Sequence, residues 1–296
     1  MSESTKNEER TTAGDVPRES SRTILFQFVV FPLGVVLIGV AVFLLFGKLA
    51  SNESSIPDYL NDIRNGSSHR KFQAAYEMSK SIKRGEAKRY PNLVEQVVAT
   101  YRASKDDDPR IRQYLTLVLG KLGDKRAVPV LIDALHDPVV ETRIYALIAL
   151  AELHDPGSVP AVIAATKDED KDVRKTAIYS LGDIGGARAL PVLEEALNDQ
   201  VADVRFNAAL GLSRFGDRNA EPVLRAMLDR STLDRVAGMR PDQKEEAIVA
   251  AIPAYAKLAG NAAAPELQKL ASSDESMRVR ATAKEALARM GAAPRP

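Results

Sequence analysis

Three columns of identical residues, each repeating every 31 positions, restrict this chain to very few folds. Arg112, Arg143, Arg174 and Arg205 make one column, Pro129, Pro160, Pro191 and Pro222 a second, and Asp106, Asp137, Asp168 and Asp199 a third. A period between about 20 and 50 residues marks a stacked array in which every unit is one supersecondary element. Composition points to helices as that element: 45% of residues are hydrophobic but only 5% are aromatic, and tryptophan is absent. Apolar content of this kind, leaning on alanine, leucine and valine, suits closely packed helices.

One unit is clearest in residues 170–199. Val173, Ala177, Leu181 and Ile184 fall on one side of a helix, which Gly185 and Gly186 end. Pro191 then opens a second helix with Leu193, Ala196 and Leu197 on its buried side. Each unit is therefore a helical hairpin, and because a lone hairpin cannot bury its apolar face, neighbours must stack into a solenoid over residues 58–291. The regular array spans 106–230. An irregular opening covers 58–105, with Lys71 and Ala74 in the places that arginine and alanine hold later. The turn glycine then moves from Gly216 to Gly260, a step of 44, and on to Gly291, a step of 31. Thirteen residues are thus inserted after Arg230, placed at 231–243 and read as a loop. Degenerate and capping repeats fill 244–291, where Arg280 restores the arginine column, and 292–296 is a tail.

The motif D-x-x-V-R-x-x-A-x-x-x-L-G-x-x-G, followed by A-x-P-x-L-x-x-A-L-x-D, stands in Asp170 to Asp199 and, with small changes, in Asp203 to Arg230. It resembles the HEAT-like repeats of phycobilisome-lyase (PBS lyase) type. The resemblance is strong over 106–230, weaker as far as Gly291, and absent before Asp58. It implies an all-α, HEAT-like α-solenoid and specifies no activity by itself. Two enzymatic relatives of the repeat type come with it, bilin lyases and deoxyhypusine hydroxylase. The latter holds two irons with several His-Glu pairs, and no His-Glu pair occurs here.

Residues 1–23 are polar, offer little to bury, and are expected to be disordered. From Ile24 to Phe46 the chain carries no charge, and Gln27 is the one strongly polar side chain. As a helix this stretch would be roughly 34 Å long, against about 30 Å for a hydrocarbon core, and it exceeds the apolar run of about 7–15 residues in a cleavable signal. One uncleaved N-terminal transmembrane helix is therefore expected at 24–46, with a linker at 47–57. Arg18 and Arg22 before the span, against Lys48 after it, favour a cytoplasmic N-terminus and a solenoid outside, while the basic stretch 58–90, which could sit against an anionic cytoplasmic leaflet, leaves the opposite orientation open.

No motif marks catalysis: there is no GxSxG, HExxH, phosphate-cradling glycine loop or dinucleotide fingerprint in a fitting context. Cysteine is absent, and His69, His136 and His154 do not form a metal set, so no catalytic residue, metal or cofactor is expected. A formal charge of +1 lacks the footprint of a nucleic-acid binder, and no small-molecule substrate is expected either. The arginines of the column, Arg112, Arg143, Arg174, Arg205 and Arg280, lie early in first helices near acidic groups. They read as a structural ladder of arginine to aspartate contacts.

Binding is expected where the columns vary. Second helices of HEAT-type hairpins usually line the inner wall, which makes their outward positions the first candidate docking face. Those positions are Ile132, Ile163, Glu194 and Arg225, then Asp133 and Glu195, then His136, Lys167, Asn198 and Asp229. Arg235 and Arg240 of the insertion are the second candidate. The expected role is a single-pass, membrane-anchored scaffold or adaptor for a membrane-associated protein, held in the lipid bilayer by 24–46. A bilin-lyase-like or other HEAT-type enzyme or accessory subunit is the alternative.

Overall fold

Every period of the regular array folds as two unequal helices joined by a tight turn, which is 3-10 at 125–127, 156–158 and 218–220 and a plain turn at 185–189. The computed structural model describes residues 31–50 and 55–292, and the chain divides into two units, 1–54 and 55–296. In the first unit the described residues form one helix, α1 (Phe31–Ala50). Residues 24–30 of the expected span lie outside the described residues, and the helix runs past Phe46 to Ala50.

The second unit opens with α2 (Ile56–Asn65), α3 (Ser68–Ser81) and α4 (Leu93–Ala103). Ser55 caps α2 in a capping box with Asp58, and Pro57 occupies its first turn. The regular array then sets 14-residue first helices, α5 (Pro109–Leu122), α7 (Val140–Leu153), α9 (Lys171–Ile184) and α11 (Ala202–Phe215). They alternate with seven-residue second helices, α6 (Val128–Ala134), α8 (Val159–Ala165), α10 (Leu190–Ala196) and α12 (Glu221–Met227). The proline column falls in the first turn of each second helix, where a missing N–H costs no hydrogen bond. Gly123, Gly185 and Gly216 end their first helices at positive φ, and His154 takes the equivalent place at φ 46°.

First helices pack in an unbroken row, each against the next, while second helices pack on the first helices beside them. Leu115, Leu147, Leu181 and Leu212 of the first helices meet Leu131, Val162, Leu193 and Leu224 of the second, all fully buried. Each such leucine contributes about 1.5–3 kcal/mol by leaving water. Small residues set the spacing of the row. A Cβ on Gly182 would stand 2.7 Å from the Gly211 Cα, and one on Gly120 would stand 2.8 Å from the Ala149 Cα. Between these two seams, Ser180 of α9 adds a bond to α7, its Oγ donating to the Leu147 carbonyl at 3.0 Å.

Past α12 the inserted residues fold rather than loop out, which corrects the sequence reading. α13 (Arg230–Leu233) is capped by Asp229, Leu233 is fully buried, and Val236 and Met239 pack partly against the core. A buried leucine and two half-buried side chains give this segment enough apolar area to dock. α14 (Pro241–Ala259), α15 (Ala264–Ser273) and α16 (Met277–Ala292) close the array. The stretch Pro241–Ser273 is long and apolar enough to cross a membrane by length and composition, yet it places Ile248, Ala251, Ile252, Tyr255 and Leu267 in the common core.

Candidate docking faces

The arginine column joins consecutive units through backbone as well as carboxylate. Arg112 is buried, and its Nε and Nη2 donate to Asp137 of the next unit at 2.8 and 3.3 Å. Its Nη1 donates to the carbonyls of Ser104 and Lys105. Arg143 repeats this with Asp168, its Nη2 donating at 3.0 Å and its Nη1 bonding the Asp137 carbonyl. Arg174, Arg205 and Arg280 keep only the carbonyl half, donating to residues 168 and 169, 199 and 200, and 274 and 275. The aspartate column orders the turn that follows it: Asp137, Asp168, Asp199 and Asp274 accept from the backbone N–H two residues on.

The position that supplies Asp137 to Arg112 and Asp168 to Arg143 is filled, after Arg205, by Arg230 instead of aspartate. Arg230 turns forward to Asp274 with a bidentate pair at 2.8 and 2.7 Å. These bonds, helped by the Ser276 N–H, hold the Asp274 carboxyl below the usual carboxylate range. Its folded pKa is thus depressed below the unfolded one, near 3.9, so the pair's contribution is complete above about pH 4 and is lost as pH falls through the folded value. Asp274→Asn should flatten the loss of stability below about pH 4, read as denaturation midpoints across the acid range. Parallel acid limbs in parent and variant would refute this.

The outward second-helix residues are brought to one side of the array, but several are already engaged. Asp133, His136, Glu194 and Asn198 are exposed, whereas Ile132 and Ile163 pack partly on the core. Lys167, just past the end of α8, pairs with Glu195 of α10 at 2.7 Å, and Arg225 of α12 pairs with Glu266 of α15. Asp229 is a cap, accepting from the Ser231 N–H at 3.1 Å and from the Ser231 and Thr232 hydroxyls. On the inserted segment Arg240 pairs with Asp242, while Arg235 reaches only the Thr232 hydroxyl.

A second face, carried by the first helices, escapes the sequence reading. Phe72 and Tyr76 of α3 cluster with Tyr114 of α5, ring centroids 5.9 and 5.3 Å from the tyrosine, and the Arg110 guanidinium lies 4.1 Å over Phe72. Tyr145 and Ile148 of α7 are half-buried, and Tyr179 of α9 is 43% exposed. The signal was available: positions 114 and 145 are both tyrosine, and positions 117, 148, 179 and 210 read Leu, Ile, Tyr, Leu outside the core columns. Tyrosine and arginine grouped on an open helical face match the composition of binding hot spots.

His69 and His136 are exposed, and His154 lies 3.4 Å from Asp183 through Nε2. Among the described residues no three side chains of histidine, aspartate or glutamate converge as a metal-holding group.

Comparison with known proteins defines the class. Residues 131–209 match the HEAT repeats family, and residues 111–137 and 204–230 match the PBS lyase HEAT-like repeat. HEAT-type repeats are thus found within residues 111–230, and the described residues of the second unit form an all-α helical repeat solenoid. The complex of CpcE and CpcF of phycocyanin lyase from Nostoc sp. PCC7120 is similar in fold, with a TM-score of 0.55 at 20% identity over 81% of this chain and 89% of that one. The Escherichia coli protein YibA gives a TM-score of 0.51 at 17% identity over 81% and 84%. Human deoxyhypusine hydroxylase gives 0.35 at 20% identity over 80% and 84%. No curated protein matches the chain.

Proposed function

We propose that this chain is a membrane-anchored HEAT-repeat scaffold that binds another protein and does no chemistry itself. The observation that carries the binding role is the open aromatic face of the first helices, because HEAT arrays keep core columns constant and recognise partners through outward ones. Anchoring is supported by α1, whose described large side chains, from Phe31 to Leu45, are all exposed and apolar. An apolar helix with no protein cover is what a lipid environment accommodates. The preferred orientation keeps the N-terminus in the cytoplasm. Tethering then raises the effective concentration of the solenoid for membrane-associated partners.

The chain is expected to stay with membranes through alkaline carbonate washing and to be released by deletion of residues 24–46. Site-specific photocrosslinking from position 179 in intact membranes should capture a protein that Tyr145→Ala with Tyr179→Ala no longer captures, at unchanged melting temperature. Carbonate-soluble chain would remove the anchor. A purified chain that takes up a bilin, seen as visible absorbance, would replace the scaffold with a lyase-type role.

A further inference from the structure

The inserted segment does more than fill a gap in the period: it walls a cleft of about 880 Å³ against α9, α11 and α12. Phe206, Val236 and Met239 give it an apolar floor. Four cations line it, Lys171, Lys175, Arg205 and Arg235, against two carboxylates, Asp172 and Asp203. Lys175 takes both of these, at 3.1 and 3.8 Å.

The other three cations have no carboxylate within ion-pair distance among the described residues. Arg205 gives Nη1 to the carbonyls of Asp199 and Gln200, and the aspartate that Arg112 and Arg143 find in the next unit is replaced here by Arg230. Arg235 donates to a hydroxyl; Asp234 is paired with Lys244 at 2.6 Å, and Asp229, held by the Ser231 and Thr232 hydroxyls, acts on Arg235 only from beyond ion-pair distance. In a chain of formal charge +1, an excess of two positive charges gathered over an apolar floor is a local departure that calls for an anionic, partly apolar occupant.

We propose that this cleft binds an acidic linear segment of a partner protein, its carboxylates on Lys171, Arg205 and Arg235 and an intervening apolar side chain on Phe206, Val236 and Met239. A nucleic-acid backbone fits less well, because Asp172 and Asp203 in the wall repel a continuous run of phosphates, whereas a peptide places its charges singly and can donate N–H groups to those carboxylates. This assignment rests on the scaffold reading and names the chemistry of its partner.

The test uses the full chain in mild detergent with a fluorescein-labelled octapeptide of alternating glutamate and leucine, its lysine and leucine counterpart, and a labelled oligodeoxythymidylate, all read by anisotropy. The glutamate peptide should bind at least about tenfold more tightly than either control, and Lys171→Glu and Arg235→Glu should each weaken it about three- to tenfold at unchanged melting temperature. Arg205→Gln is kept as a third variant, because its loss of carbonyl bonds lowers stability as well. Equal affinity for the two peptides, preference for the oligonucleotide, no binding, or charge reversals without effect would each overturn the assignment. If crosslinking from position 179 still captures a protein in the Arg235→Glu chain while the peptide arms fail, the scaffold stands and the cleft assignment falls.

Discussion

Asp137→Ala is expected to destabilise the array by about 3–5 kcal/mol, because it leaves the buried Arg112 guanidinium without its counter-charge. Asp199→Ala, in the same column, should cost only about 1 kcal/mol. Asp199 accepts from the Val201 N–H as Asp137 does from Val139, but no arginine side chain pairs with it among the described residues. The two variants therefore separate ion pairing from turn capping at equivalent positions. Denaturant midpoints, with amide exchange across α5 and α7 to localise the loss, read the difference. Equal effects would mean that turn capping alone accounts for the column.

Gly182→Leu should be as damaging by a different route. The seam between α9 and α11 has backbone facing backbone, with Gly211 opposite, so even a Cβ must push the helices apart. Overpacking costs about 1–3 kcal/mol and occasionally more, and the upper end is expected here because the opposing atoms are backbone and the neighbouring leucine core is opened as well. Ala187→Leu adds the same kind of bulk at an exposed turn and should stay within about 0.5 kcal/mol of the parent. A Gly182→Leu chain that melts like the parent would show that the row of first helices is not held by close approach.

The sequence made the hairpin, its 31-residue period and its core columns legible because each rests on a local rule: proline opens a helix, glycine ends one, and apolar spacing names the inward side. Leu131, Val162, Leu193 and Leu224 are accordingly buried, and Ala165 of the neighbouring column is the partly covered member. What escaped depends on geometry between elements. Residues 174 and 199 carry the same letters as 112 and 137, yet only the latter two join, a difference between units that identical letters cannot announce. The inserted segment reads as polar and is held by the burial of Leu233. The first-helix aromatics escaped because the sequence reading places docking positions on the second helices, whereas Tyr179 stands 43% exposed on a first helix.

The two edges of the solenoid are fastened unequally. Along the first helices, glycine and alanine let backbones touch, and nothing there can stretch without losing contact. Along the second helices, Lys167 with Glu195 and Arg225 with Glu266 span the gaps by long, solvated side chains whose pairing is worth less than about 1 kcal/mol each. Such an array bends like a book, its spine on the first helices and its fore-edge free to fan. A partner gripping the first-helix face would meet a stiff surface already in its bound form, whereas one settling on the second helices could set the curvature to suit itself.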